Sequence, residues 1–187
     1  MADLAAAERL VEIGSTRGWC EQAAEVLREA LAPRGVACWS TPAAARAEVD
    51  ECLTEGWLCL GLANADELLG WVGLRPLYEH TWELQPLVVR PSAQGRGVGR
   101  RLLAHLERHA AARGIGAILL GADDEGGETS LSGVPAATFD LCEQLRVLRS
   151  LKRHPFVFYQ RCGYRIVGIV PDSGTGYADI WLWKPLV

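Results

Sequence analysis

The twenty residues from 82 to 101, WELQPLVVRPSAQGRGVGRR, decide the fold of this chain. Their first half has the apolar character of a β-strand but contains Pro86, and a proline cannot donate a hydrogen bond to a strand ladder. We therefore predict a strand with an edge position or a bulge at Pro86. The second half alternates glycine with other residues from Gln94 to Arg101, so the backbone can turn sharply and approach a ligand closely.

An amphipathic helix follows this glycine-rich turn, with its apolar stripe at Val98, Leu102, Leu103, Leu106 and Ala110. The free N–H groups and the positive dipole end of a helix N-terminus attract anions, and three neighbouring arginines add positive charge. The turn therefore predicts a pyrophosphate site, with a purely structural tight turn as the alternative reading. It is neither a Walker loop, which requires Gly-Lys-Ser/Thr, nor the dinucleotide fingerprint GxGxxG.

Strand and helix patterns alternate along the rest of the chain, which indicates a mixed α/β fold. The predicted strands are 9–13, 57–63, 68–74, 82–90, 115–120, 164–170 and 177–183. Five helices are predicted. The second begins with Thr41 as N-cap and Pro42 at the first helical position and runs to Gly56, and the third is the helix after the glycine-rich turn, which ends at Gly114. The other three are 19–32, 136–151 and 154–162. The strands at 57–63 and 68–74 form an antiparallel hairpin, and the apolar run at 115–120 is typical of a buried parallel strand.

Composition sets limits on the function. The chain has 187 residues, 49% of them hydrophobic, and a net charge of −4, so we expect a single domain spanning 1–187. The acidic balance disfavours nucleic acid as a partner and suits a cationic small substrate. No apolar run has the roughly 18 residues of a membrane span, and the N-terminus lacks a signal peptide, so we expect no membrane association and a cytoplasmic location.

Neither the cysteines nor the histidines have the spacing of a metal site. The six cysteines, none in a CxxC pair, are expected to be free buried thiols in a reducing compartment. His105 and His109 stand one helical turn apart, but no third ligand accompanies them. We therefore expect no metal cofactor.

The order strand, QxxGxG, helix, strand resembles the acetyl-coenzyme A loop of the GNAT N-acetyltransferase superfamily, with Gln94, Gly97 and Gly99 in the pattern positions. The stretch 158–164 is similar to a second signature of that superfamily. Further stretches resemble the aminoglycoside 6′-N-acetyltransferases: 82–89, 120–124, 129–132, 154–156, 171–172 and 179–181. Two positions depart from that family, since Gln85 replaces a histidine and Val157 a glutamate, which bears on the range of acceptors.

The resemblance implies the GNAT acyltransferase fold, in which helices flank a central, mostly antiparallel sheet with a splayed pair of parallel strands. It implies acetyl-CoA as co-substrate, an aminoglycoside or another cationic amine as acceptor, and a homodimer. With no cysteine placed as an acyl carrier, we expect direct attack in a ternary complex. Two alternatives stay open: the same chemistry on a polyamine, peptide or other amine metabolite, and an acyl-CoA-binding regulator without activity.

Acetyl transfer to an amine requires a base, a polarised carbonyl and a proton for the leaving thiolate. We predict Glu83 as base, the Leu87 backbone N–H as donor to the carbonyl, and Tyr159 as acid, because thiol and phenol pKa values lie close together. The alternative roles are a strand glutamate paired across the sheet, a core leucine and a buried aromatic residue. The predicted cofactor contacts are Leu87, Val88, Val89, Gln94, Gly95, Arg96, Gly97, Val98, Gly99, Arg100, Thr129 and Tyr159.

The predicted acceptor site consists of acidic and aromatic residues. Asp123 and Asp124, just beyond the strand at 115–120, give an attractive field for a polycation, although an acidic loop is more often plain solvated surface. Glu83 is expected to bind the amine as well. Tyr78 is predicted to support a sugar ring, and Trp39 either does the same or belongs to the core.

Overall fold

The computed structural model describes residues 8–32, 38–174 and 176–186. The chain folds into two compact units, one that ends at Ile115 and one that begins at Gly116. Each unit is a layer of antiparallel strands with its own helices.

In its described residues, the first unit has four antiparallel strands in the order β1-β2-β3-β4. They are β1 (Glu8–Glu12), β2 (Leu58–Asn64), β3 (Glu67–Pro76) and β4 (Thr81–Val89). Strand β3 is buried almost throughout, because adjacent residues point to opposite faces and both faces are covered. Trp71 donates its indole N–H to the carbonyl of Ala23, and Gly70 lies under Leu102. The hairpin of β2 and β3 confirms the prediction.

Three helices cover these strands: α1 (Arg17–Leu31), α2 (Pro42–Cys52) and α3 (Val98–Ala112). The predicted cap is confirmed, since the Thr41 hydroxyl accepts from the Ala44 N–H and Pro42 takes the first helical position. Helix α2 ends before the predicted Gly56. The apolar stripe of α3 is buried as the sequence predicted.

The predicted irregularity at Pro86 is present. The pairing of β3 with β4 shifts register between Val72 and Leu74, and the Gln85–Pro86 peptide bond is cis. Gly73 lies at this shift, and a Cβ there would overlap the carbonyl oxygen of Gln85. The irregularity therefore has two sequence causes, a proline without an N–H on one strand and a residue without a side chain on the other.

The second unit has three antiparallel strands in the order β5-β7-β6. They are β5 (Ala117–Asp123), β6 (Arg165–Val170) and β7 (Asp179–Pro185). Two helices accompany them, α4 (Leu141–Val147) and α5 (Pro155–Arg161). His154 caps α5, its Nδ1 accepting from the Phe156 N–H.

The long helix predicted at 136–151 is wrong. A 3₁₀ turn at Ala136–Thr138 and the two turns of α4 take its place. Beyond α4, the chain pairs with the loop after β5: Ser130 N–H donates to the Arg149 carbonyl and Leu151 N–H to the Glu128 carbonyl. These non-local hydrogen bonds draw residues 149–151 out of the helical pattern.

The cysteines follow the expectation only in part. All six are free, but only Cys20 and Cys52 are buried, whereas Cys38 and Cys142 are exposed. Burial raises the pKa of Cys52 far above that of a free thiol, and it raises the pKa of Cys59 to about 12. Both thiols therefore stay protonated at neutral pH.

Within the part of the chain that the structure describes, no helix has the length and apolar character needed to cross a membrane.

Candidate functional site

Glu83 is a buried carboxylate held by one arginine. It lies on β4 directly opposite Arg75 of β3, and only 7% of the residue is exposed. Arg75 Nε donates to Glu83 Oε2 at 2.8 Å, and its Nη2 lies 2.7 Å from the same oxygen. The cross-strand pairing that the sequence allowed as an alternative is thus present, but it is buried rather than exposed.

Helix α2 brings two more carboxylates to this region. Glu51 Oε1 lies 3.9 Å from Arg75 Nη1, and the Arg75 guanidinium lies over the Trp57 ring, 5.7 Å from its centroid. Glu48 accepts from the indole N–H of Trp39 at 3.0 Å. Arg75 therefore contacts carboxylates from two elements, Glu83 of β4 and Glu51 of α2.

Glu48 has a raised pKa. Its partial burial disfavours the charged form and outweighs the hydrogen bonds from Trp39 and Gln85 and the charge of Arg75, which lower the pKa. The charge of Glu51 raises it further. Trp39 contacts the hydrophobic core and bonds Glu48, a placement that favours the core alternative for this residue. Gln85, which departs from the family pattern, also acts on Glu48.

The glycine-rich turn has the backbone that the sequence predicted. Gly95 and Gly97 take φ values of +73° and +81°, a left-handed conformation that L side chains rarely adopt. Gly97 is the N-cap of α3 and offers no side-chain acceptor to the first helical turn. Gly99 lies inside that turn. The N–H groups of this helix end are therefore available to an external anion.

The polar side chains around the turn divide into two groups. Gln94 donates from Nε2 to the Val89 carbonyl at 3.0 Å, which ties the turn to the end of β4. Arg101 donates to the Arg96 carbonyl and pairs with Glu8 at 2.8 Å, so its charge is neutralised within the fold. Arg96 and Arg100 are exposed, which leaves both accessible to a ligand.

The three residues of β4 after Pro86 differ in burial. Leu87 and Val89 are half-buried, and Val88 is 4% exposed with its side chain in the hydrophobic core. Leu87 lies opposite Val72, just beyond the register shift. The oxyanion role of its N–H and the cofactor contacts of all three residues stay predictions.

In the second unit, α5 buries Tyr159 against other aromatic rings. Tyr159 is 7% exposed, and its ring makes edge contacts with Phe158 and Tyr164 at centroid distances of 5.1 and 5.7 Å. His154 connects α5 to β5, since its Nε2 lies 3.1 Å from the Asp123 carbonyl oxygen. The role of Tyr159 as acid stays a prediction.

The two neighbouring aspartates after β5 have opposite surroundings. Asp124 is 1% exposed, and its carboxylate accepts from the N–H groups of Glu128 and Thr129 and from the Thr129 hydroxyl. Thr129 is fully buried. These contacts favour a structural role for Asp124 and Thr129, as the hydrogen bonds that hold the loop. Asp123 is exposed, with Ser173 Oγ 3.5 Å from its carboxylate.

Tyr78 is 67% exposed at the turn between β3 and β4, and its role in supporting a sugar ring stays a prediction. Sequence reasoning missed Arg75, Glu48 and Glu51. A signal for Arg75 existed, because a hairpin turn at 77–80 sets residue 75 opposite residue 83. No sequence pattern near Glu48 or Glu51 indicates that α2 packs close to Arg75.

In the described ranges, no three His, Cys, Asp or Glu side chains come together as a potential metal site.

Residues 24–130 match the family model of the GNAT acetyltransferases. A crystal structure of an aminoglycoside 6′-N-acetyltransferase in complex with coenzyme A is 31% identical, with a TM-score of 0.83 over 96% of this chain and 97% of that chain. The aminoglycoside 6′-N-acetyltransferase from Enterococcus faecium is 30% identical, with a TM-score of 0.81 and the same coverage of both chains. An aminoglycoside 6′-acetyltransferase of type Ii is 27% identical, with a TM-score of 0.71 over 96% of this chain and 97% of that chain. A search of curated proteins gives no match.

The chain belongs to the GNAT family of acetyltransferases and has the fold of that family. Over nearly its whole length it is similar to aminoglycoside 6′-N-acetyltransferases. The predicted resemblance and fold class are thereby confirmed.

Proposed function

We propose that this protein transfers an acetyl group from acetyl-CoA to the 6′-amine of an aminoglycoside. The observation that carries the proposal is the similarity, above 30% identity and across 96% of the chain, to an enzyme of that activity crystallised with coenzyme A. The buried carboxylate of Glu83, bound by Arg75, also supports the proposal, because acetyl transfer to an amine requires a base. Acetylation removes a positive charge from the drug and so weakens its attraction to RNA phosphates.

The glycine-rich turn fits the diphosphate of coenzyme A. Gly95 and Gly97 give the backbone its left-handed turn, and the first turn of α3 has N–H groups without a side-chain acceptor. Arg96 and Arg100 are exposed beside them. When bound, acetyl-CoA supplies an activated thioester. We assign the diphosphate to the N–H groups of residues 95–100, and the pantetheine arm to the backbone of Leu87, Val88 and Val89.

In this proposal Glu83 binds the ammonium group of the acceptor and receives its proton, directly or through a water. The Leu87 N–H donates to the thioester carbonyl, where one well-aimed donor is worth roughly 3 kcal/mol in characterised enzymes. Tyr159 supplies a proton to the leaving sulfur. The proposal keeps direct attack. Cys52 and Cys59 have pKa values raised by burial and are poor acyl carriers.

Besides Glu83, we assign the contacts with the acceptor to exposed groups. Tyr78 and the Asp123 carboxylate are exposed and have the chemistry to contact a cationic sugar. Asp124, Thr129 and Trp39 are engaged in contacts of the fold, and the proposal gives them no direct ligand contact. The single domain, the homodimer and the cytoplasmic location stay predictions.

The test is release of free coenzyme A from acetyl-CoA, measured with a panel of amines. The panel pairs a kanamycin-type aminoglycoside with an analogue that lacks the 6′-amine, and adds a polyamine and a peptide amine. We expect turnover with the first compound and none with its analogue. A higher kcat/KM for the polyamine or the peptide assigns the enzyme to another acceptor, and binding of acetyl-CoA without thiol release makes it a regulator.

A further inference from the structure

We propose that Arg75 is a positioning residue that fixes Oε2 of Glu83 and so leaves Oε1 as the oxygen that meets the acceptor amine. This inference rests on the proposed function, in which Glu83 receives the proton of that amine.

The contact between the two residues is one-sided. The Nε and Nη2 atoms of Arg75 both converge on Oε2, at 2.8 and 2.7 Å, rather than spanning the two carboxylate oxygens as a fork. Among the described residues, no other hydrogen bond reaches the Glu83 carboxylate. Oε1 therefore retains its lone pairs for a ligand.

The half-buried pair of Arg90 and Glu29 shows what a structural contact looks like in the same unit. Arg90 Nη1 lies 3.0 and 2.9 Å from the two oxygens of Glu29, and its Nη2 reaches Glu25 as well. Both Glu29 oxygens are thereby engaged. Glu83 differs because only one of its oxygens is engaged, although it is the more buried carboxylate, with 10% of its side chain exposed against 38% for Glu29.

Arg75 is itself held in place from three sides. Strand register sets it opposite Glu83, its guanidinium lies over the Trp57 ring, and Glu51 of α2 lies 3.9 Å from Nη1. Glu48 of α2 is also electrostatically coupled to Arg75. The positive charge of Arg75 compensates the buried carboxylate, and its fixed plane fixes the direction of Oε1.

A double-mutant cycle tests the inference. It compares wild type, Arg75→Met, Glu83→Gln and the double variant by the kcat of acetyl transfer and by the KM for acetyl-CoA. We expect Arg75→Met to lower kcat roughly 10- to 100-fold, because a misplaced base loses its alignment. The KM for acetyl-CoA should stay within about twofold, since the glycine-rich turn is unaffected. In the Glu83→Gln background, the same change should have almost no further effect on kcat.

A conservative variant of Arg75 and a control variant at Arg46 make the test more specific. Arg75→Lys retains a donor to Oε2 and should recover most of kcat, and added ethylguanidinium should partly restore Arg75→Met. If Arg75→Met does not fold, the cycle is run with Arg75→Gln, which also removes the guanidinium. Arg46→Met is the matched control, because it removes an arginine from an exposed pair with Asp50 on α2; its kcat should equal that of wild type.

The outcomes separate the inference from the proposed function. If wild type turns over and Glu83→Gln is impaired but Arg75→Met is not, the inference alone is overturned. A full, additive loss in the Glu83→Gln background also overturns it, because Arg75 then acts through another group. If the wild-type chain releases no thiol with any amine, or Glu83→Gln is as active as wild type, the proposed role of Glu83 fails and the inference fails with it.

Discussion

The Cα atom of Gly73 lies against the carbonyl oxygen of Gln85, with no room for a Cβ between them. This approach places the register shift of β3 and β4 next to Leu87, the proposed donor to the thioester carbonyl. The shape of β4 thus depends on a glycine of the neighbouring strand as much as on its own proline.

Gly73→Ala should therefore destabilise the fold by about 1–3 kcal/mol, because the backbone of β4 must move to admit a methyl group. Chemical denaturation measures the loss. Gly168→Ala is the control, since a Cβ at that strand glycine meets no atom within 4 Å. If both variants are equally stable, the contact with Gln85 does not constrain the strands.

Gly97→Ala should weaken cofactor binding and the fold together. A side chain at φ +81° is strained by about 1 kcal/mol, and a Cβ there also meets Arg101. Gly114→Ala imposes similar strain, at φ +78° just beyond the other end of α3, and meets no atom within 4 Å. We expect similar losses of stability but a higher KM for acetyl-CoA only in Gly97→Ala. Equal KM values contradict the proposed diphosphate site.

Tyr159→Phe should lower kcat about 100-fold if the hydroxyl protonates the leaving sulfur, because a phenyl ring keeps the packing and removes the proton. Tyr164→Phe is the matched control, a buried tyrosine whose ring contacts that of Tyr159 at 5.7 Å. Steady-state kinetics with a saturating acceptor measures both. Nearly full activity in Tyr159→Phe removes the acid from the mechanism and leaves the proposed reaction intact.

The two aspartates after β5 should respond in opposite ways. Asp124→Ala should cost about 2 kcal/mol or more, because it leaves the buried N–H of Thr129 and the Thr129 hydroxyl without their acceptor. Asp123→Ala should leave stability unchanged and raise the KM for the acceptor. Thermal unfolding and acceptor titrations distinguish the two, and an Asp124→Ala variant as stable as wild type contradicts the structural role.

Glu48 gives a prediction on pH. Its pKa is raised by burial, so the folded state favours the protonated carboxyl, and that stability is fully present below the ordinary pKa of 4.5. The contribution is lost as pH rises through the raised pKa. Glu48→Gln, which mimics the protonated form, should therefore gain stability relative to wild type as the pH rises above the ordinary pKa of 4.5.

The control for this prediction is Glu55→Gln, at an exposed position. It is measured over the same pH range. A stability difference between Glu48→Gln and wild type that does not change with pH means that Glu48 has no raised pKa in the folded protein.

The sequence determined the strands and helices whose patterns are local. The apolar stripe of α3, the cap at Thr41, the left-handed glycines of the turn and the irregularity at Pro86 follow from helical period, side-chain capping and the limits on φ. The same local rules failed at 136–151, where backbone hydrogen bonds to 128–130 override the helical pattern.

Only the tertiary structure decided which polar groups meet. One aspartate of the pair at 123 and 124 is buried among loop N–H groups, while its neighbour is exposed. Among the described residues, one arginine bonds one oxygen of the Glu83 carboxylate. These contacts depend on strand register and on where α2 packs. Neither can be predicted from the residues adjacent in sequence to Glu83, Asp123 or Asp124. Backbone conformation is a property of neighbours in sequence, whereas the surroundings of a charge are made by neighbours in space.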